Sequence, residues 1–369
     1  MFKQGNFMEF TGVNKQYHIY KLDIDRAIQK VLNEGQFILG PEVHQLEEAL
    51  AKYIGVKYCL GVSSGTVALQ IAMMALDIGP GDEVITVPFT WIATAESIAL
   101  LGAKPVFADI DPETYLMDLN HVETLITPRT KAIMPVSLFG QMPDFTALNA
   151  IAKKYGIAII EDGAQSFGST QKGVLSGSLT TIGCTSFFPT KPLGCYGDGG
   201  AVFTNDEKLA EKMKSIRTHG SVNRLDHNYL GINGRLDTLQ AAILKVKLSY
   251  FNQEVSARQT RASIYNHLLK DYCEIPHVQE HNTHVYAQYT LRSPQRHLIM
   301  QHLDQLGIPV RIFYPRCIHL QKSFSYLNHQ LGDLPEAEKA SQEVFSLPMH
   351  PWLAEEDQFY VAKSIKEAL

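Results

Sequence analysis

Between residues 57 and 205, short apolar runs rich in β-branched residues alternate with stretches whose apolar positions recur every three to four residues. YCLGV, DEVITV, KPVFADI, KAIMPVS and GIAIIED read as strands. Residues 66–76 and 144–155 read as helices, with GPGDE and DPET as turns. The alternation predicts parallel βαβ units whose helices cover a buried sheet, and in such sheets ligands gather outside the carboxyl ends of the strands.

From 181 to 205 the pattern changes. TIGCTSFFP and GAVFTND read as two strands around KPLGCYGDGG, a turn more flexible than a structural connection requires. An amphipathic helix over 206–219 follows, and then a helical pattern over 235–272 that exceeds most globular helices and is expected to link two domains. After Pro276 come a strand (VYAQYTLRS), a helix (295–306), a strand (IPVRIFY) and a closing helix over 354–369. The expected division is a large, mainly parallel α/β domain over 1–245 and a small α+β domain over 246–369. No internal repeat is found.

A chain of 369 residues is longer than one small core usually organises, which agrees with that division. Apolar residues at 45% and charged residues at 19% describe a globular protein. With 33 Lys and Arg against 38 Asp and Glu, the net charge of −5 argues against nucleic acid as a partner but leaves room for local anion pockets. The cysteines at 59, 184, 195, 273 and 317 are odd in number and lack C-x-x-C spacing, so neither a disulfide framework nor a zinc site is expected. Reduced, mostly buried thiols suit a cytoplasmic protein. The polar N-terminus lacks the apolar core of a signal peptide, and no apolar run approaches a membrane span.

Three segments carry chemistry. In YCLGVSSGTVALQIA, Ser64, Gly65 and Thr66 stand between a strand and a helix, where unpaired amides suit a phosphate; an ordinary helix cap reads equally well. GIAIIED brings Asp162 to the carboxyl end of an apolar strand, where a carboxylate needs a cation: a salt bridge, or a protonated pyridine nitrogen. In SFFPTKPLGCYGDGG, Lys191 precedes Pro192 in a constrained turn, where partial burial would free its amine lone pair for Schiff-base formation; most isolated lysines are only surface charges. Phosphate loop, acid and lysine, in that order, are the parts that a pyridoxal phosphate site needs.

GQFILGPEVHQLEEALAKYIG, PGDEVITVPFTWIATAES, ITPRTKAIMPVSLFGQMPDF, EDGAQSFGS, SFFPTKPLGCYGDGGAVFTND and NGRLDTLQAAIL together resemble the DegT/DnrJ/EryC1/StrS family of sugar-nucleotide aminotransferases, over nearly the whole chain. The resemblance implies the aspartate aminotransferase-like fold (fold type I), pyridoxal 5′-phosphate as cofactor, and a homodimer with shared active sites. Among subgroups, the lysine segment looks most like the enzymes that aminate C3 of UDP-2-acetamido-3-keto-glucuronic acid. By the same resemblance, Lys191 would bond to the cofactor and shuttle protons, Asp162 would pair with the pyridine nitrogen, and Gln165 would contact the ring's phenolic oxygen. Trp91 would stack on the ring; core packing is its plainer explanation. Ser64, Gly65, Thr66 and Ser186 would hold the phosphate, joined by Asn233 from the other subunit. Arg235 and Tyr314 are implied near substrate, Arg235 facing a uronate carboxylate or a diphosphate unless it makes an ordinary ion pair.

Two positions depart from the family pattern. Ser64 stands where many relatives have Asn, and Phe313 where many have His before Tyr-Pro. The implied reaction moves an amino group, from glutamate, onto a nucleotide-linked keto sugar. A 4-keto or dTDP-linked 3-keto sugar is the competing substrate, and a non-catalytic regulator the competing class. Relatives with His at the lysine position are sugar dehydratases, and Lys191 argues against that branch.

Overall fold

The computed structural model describes residues 8–223 and 226–369. The five apolar runs form β1 (Tyr58–Val62), β2 (Glu83–Thr86), β3 (Lys104–Phe107), β4 (Thr130–Ile133) and β5 (Ala158–Asp162). A short hairpin, β6 (Thr170–Gln171) and β7 (Val174–Leu175), precedes β8 (Ile182–Ser186) and β9 (Gly200–Thr204). Seven of these strands build one sheet in the order β1-β9-β8-β5-β4-β2-β3. Pairing is parallel from β8 through to β3, whereas β9 opposes both neighbours.

The strands read as nearly continuous apolar runs because both faces are covered. Leu60, Val62 and Val202 face a cluster with Leu69, Ile71 and Met73 of the helix Gly65–Ala75, while Cys59, Ala201 and Phe203 face Leu46, Leu50, Leu244 and Phe251. Side-chain oxygens start several of the covering helices: Asp144 Oδ1 accepts from the Thr146 and Ala147 amides, and Asp206 Oδ1 from that of Leu209.

The long helical pattern is the 32-residue helix Thr238–Leu269. Its first half packs in the sheet cluster through Ala241, Leu244 and Phe251; its last half packs through Ala262, Tyr265 and Leu269 with Tyr289, Ile299 and Phe345. The helix runs unbroken through position 245. Cys317, Ile318, Phe324 and Leu334 return to the large-sheet cluster beside Phe107 and Phe139.

Three features depart from the pattern-based expectation. A 22-residue helix, Val13–Glu34, absent from the expected elements, opens the described chain; its inward stripe of Gln16, Tyr20, Ile24, Ala27 and Val31 recurs at helical spacing but holds only two large aliphatic side chains. IPVRIFY is not a strand. Only Arg311 pairs there, with Ser346, since the prolines at 309 and 315 lack the N–H that a ladder needs. The partner of β10 (Tyr289–Arg292) is instead β11 (Val344–Leu347), antiparallel to it. All five cysteines are free and buried. Among the described residues no helix is long and apolar enough to cross a membrane, and no cluster of His, Cys, Asp and Glu suits a metal ion.

Candidate active site

The carboxyl ends of β5 and β8 and the start of the helix Gly65–Ala75 open into a cavity of about 630 Å³. Ser64, Gly65, Thr66, Trp91, Asp162, Gln165, Ser186, Lys191 and Tyr314 all line it. These positions are scattered along the chain from 64 to 314; the sheet order brings together the ends of β1, β5 and β8, and the segment carrying Tyr314 folds back onto them.

Lys191 sits on the connection between β8 and β9. The loop folds back on itself: the Lys191 amide donates to the Phe188 carbonyl (2.9 Å) and the Cys195 amide to that of Phe187 (2.8 Å). A side chain at Gly194 would lie 2.6 Å from the Pro189 carbonyl oxygen, so the fold-back requires glycine. Burial pushes the Lys191 amine below the ordinary lysine range, opposed by the charge of Asp162.

Asp162 ends β5 and is buried. Its Oδ2 accepts from Thr94 Oγ1 at 2.8 Å and its Oδ1 from the Ala164 amide at 3.2 Å. Burial raises its pKa, and the Thr94 hydroxyl, the Ala164 amide and Lys191 act against that rise. The group is therefore prepared to carry a negative charge once a cation faces it. The adjacent Glu161 points to the other face of the strand, where Ser137 Oγ (2.7 Å), Ser176 Oγ (2.6 Å) and the Gly177 amide (2.7 Å) satisfy it.

Gln165 is held at both ends of its amide. Its Oε1 accepts from the Phe139 amide (2.8 Å), and its Nε2 donates to the Tyr314 hydroxyl (3.1 Å), which leaves the second N–H free for another acceptor. Trp91 is 60% exposed and Phe188 49% exposed, yet both line the cavity, Trp91 lying 6.2 Å from the Tyr314 ring.

At the helix start, Ser64 Oγ accepts from the Val67 amide (3.1 Å), while the Gly65 and Thr66 amides precede the intrahelical ladder. A Cβ on Gly65 would lie 2.7 Å from that of Ser186, and one on Gly200 would lie 2.6 Å from the Ser64 carbonyl. The two glycines thus let strand and helix close into a small cup of amides and hydroxyls, a donor set suited to a phosphate. Lysine, buried acid, open aromatic faces and anion cup fit pyridoxal phosphate.

Asn233 and Arg235 do not line the cavity of their own chain. Asn233 is exposed and pairs with Thr218 through the backbone; Arg235 is half-buried and pairs with Val62. Sequence reading missed Thr94, Phe188, Phe10, Thr11 and Arg311, which the fold adds to the wall. Thr94 lies three residues after Trp91, and that adjacency was the available signal.

The model of the DegT/DnrJ/EryC1/StrS aminotransferase family matches residues 19–366. The chain belongs to this family. Among relatives of this aminotransferase, a UDP-2-acetamido-2-deoxy-3-oxo-D-glucuronate aminotransferase from Pseudomonas aeruginosa is 52% identical over 94% of this chain and 96% of its own. A pleiotropic regulatory protein from Geobacillus stearothermophilus is 46% identical over 96% of each chain. The crystal structure of S. venezuelae DesV in complex with a ketimine intermediate superimposes with a TM-score of 0.96 at 35% identity, covering 98% of each chain. The protein is a pyridoxal phosphate-dependent aminotransferase with the fold of that group.

Proposed function

We propose that this aminotransferase moves an amino group from L-glutamate to C3 of a UDP-linked 3-keto-2-acetamido uronic acid, supplying an amino sugar for a surface polysaccharide, and that it works as a cytoplasmic homodimer. The observation that carries the reading is the convergence of Lys191, Asp162 and the Gly65–Ser186 cup in one cavity. Support for the sugar comes from the 52% identity to the P. aeruginosa enzyme.

Bound pyridoxal phosphate would supply an electron sink and a carrier for the amino nitrogen. Ser64, Gly65, Thr66 and Ser186 would hold its phosphate, and Trp91 would cover its ring. The Asp162 carboxylate would accept a hydrogen bond from the protonated ring nitrogen, keeping that charge in place. Gln165 would donate its free N–H to the phenolic oxygen. Lys191 Nζ, deprotonated more readily because it is buried, would take the proton from the donor's α-carbon and return it to the cofactor side, then reverse the transfer for the sugar. Asn233 and Arg235, outside their own cavity, would complete the partner's site, Asn233 at the cofactor phosphate and Arg235 at the sugar diphosphate or carboxylate.

A regulator without chemistry would have no need of a desolvated lysine amine sharing one cavity with a buried acid. The test is amination of UDP- and dTDP-linked 3-keto and 4-keto sugars with glutamate as donor. Fastest turnover with the 3-keto uronate is expected; preference for a 4-keto or dTDP-linked sugar would replace this reading by its alternative. Lys191→Ala should lose turnover and the absorbance of the lysine-bound cofactor together.

A further inference from the structure

Besides Lys191, Arg311 carries the only positive charge among the described residues that line the cavity. Its backbone is fixed from both sides: its amide donates to the Ser346 carbonyl (3.2 Å), and its carbonyl accepts from the Ser346 amide (2.7 Å). Nη1 donates to the Val310 carbonyl (2.8 Å), and the guanidinium carbon lies 5.8 Å from the centroid of the Phe10 ring. Phe10 is itself pinned. Its carbonyl accepts from the Met349 amide (3.0 Å), and the turn after it uses Gly12 at φ +67, where a Cβ would fall 2.6 Å from the His350 ring. The guanidinium is thus oriented by a carbonyl and an aromatic face, with no ion pair to a carboxylate among the described residues.

Most of the guanidinium's five N–H donors are unspent, and the planar fork matches a carboxylate. Three residues further along the same segment, Tyr314 touches Gln165 beside the reacting centre; three extended residues reach at most about 10 Å. A sugar held against Tyr314 would therefore have its far substituents within range of Arg311.

We propose that Arg311 is the specificity-determining residue that binds the C6 carboxylate of the sugar. The inference rests on the uronate reading above. The two cations then have different roles: Arg311, exposed at the cavity wall, takes the carboxylate, and Arg235 is left for the diphosphate.

The experiment measures kcat/KM of the holoenzyme, Arg311→Gln and Arg311→Lys with the UDP-linked 3-keto uronate and with its analogue bearing a neutral hydroxymethyl at C6. The wild type is expected to prefer the uronate. Arg311→Gln should reduce that preference about ten- to hundred-fold, the value of one charge-assisted contact, through the uronate alone. Arg311→Lys should keep part of it, a point charge replacing a fork. If the wild type shows no preference, the uronate reading itself fails. If the wild type prefers the uronate and Arg311→Gln preserves the preference, or loses activity equally on both sugars, the assignment of Arg311 is overturned while the reading stands.

Discussion

Thr94 Oγ1 donates a 2.8 Å hydrogen bond to Asp162 Oδ2, so the acid proposed to hold the ring nitrogen is steadied by a side chain 68 residues away. Burial is the largest influence on Asp162 and favours its neutral form; the Thr94 bond favours the ionised form. Thr94→Val keeps the shape and removes that bond. Asp162 then becomes protonated at higher pH, and the acid limb of kcat/KM should move upward, with more activity lost at pH 6 than at pH 8. Cofactor affinity should fall about ten- to hundred-fold, as for one hydrogen bond to a charged group. A loss independent of pH would show that Thr94 acts only through packing.

Gly65→Ala would place a methyl group 2.7 Å from Ser186 Cβ, at the wall of the phosphate cup. Overpacking of this kind costs about 1–3 kcal/mol. The penalty should fall on cofactor binding, measured by titrating the apoprotein with pyridoxal phosphate, more than on the melting temperature of the apoprotein. Equal losses in both would mean that the glycine serves the fold and not the cup.

Lys247 is 1% exposed on the long helix, its ammonium 4.8 Å from the Tyr196 ring centroid, with Glu254, Arg258 and Cys195 as its charged or titratable neighbours. Burial lowers its pKa to about 8. Between that value and the ordinary lysine range near 10.4, the unfolded chain binds a proton that the native state does not, so stability rises with pH in this window. Relative to Lys247→Met, the wild type should therefore gain about 2 kcal/mol between pH 7 and pH 10, read by urea denaturation at both. A flat difference would place the native titration of Lys247 in the ordinary range.

The proposed shared-site dimer predicts complementation. Lys191→Ala and Asn233→Ala should each be nearly inactive alone. Refolded together in equal amounts, half the dimers would be hybrids with one intact site, restoring about a quarter of wild-type turnover. No recovery from verified hybrid dimers would locate Asn233 outside the partner's site.

Much of this site is legible in order along the chain. The proposed phosphate loop and lysine each follow a buried strand and the proposed acid ends one, and apolar runs of that kind are recognisable because sheet burial on both faces demands them. IPVRIFY looks like a strand without being one because its apolar character is divided, Ile308 and Val310 packing in the core around Tyr289 and Phe345 while Phe313 and Tyr314 line the cavity without a ladder. The opening helix carries its inward stripe at helical spacing, yet a polar Gln16 and two tyrosines, Tyr17 and Tyr20, stand in it, and the group that satisfies Gln16 is Glu254, far away in the chain on another helix.

By itself, then, the sequence determined the βαβ alternation, the family and the residue types of the proposed cofactor site, since these depend on local periodicity and on motifs a few residues long. Only the tertiary structure decided which hydroxyl meets Asp162, that Gly65 must make room for Ser186, and that Arg311 rather than Arg235 stands in its own chain's cavity. Those relationships join positions far apart in the chain, and their distances are set by strand order and by close packing across the sheet, which no local pattern records.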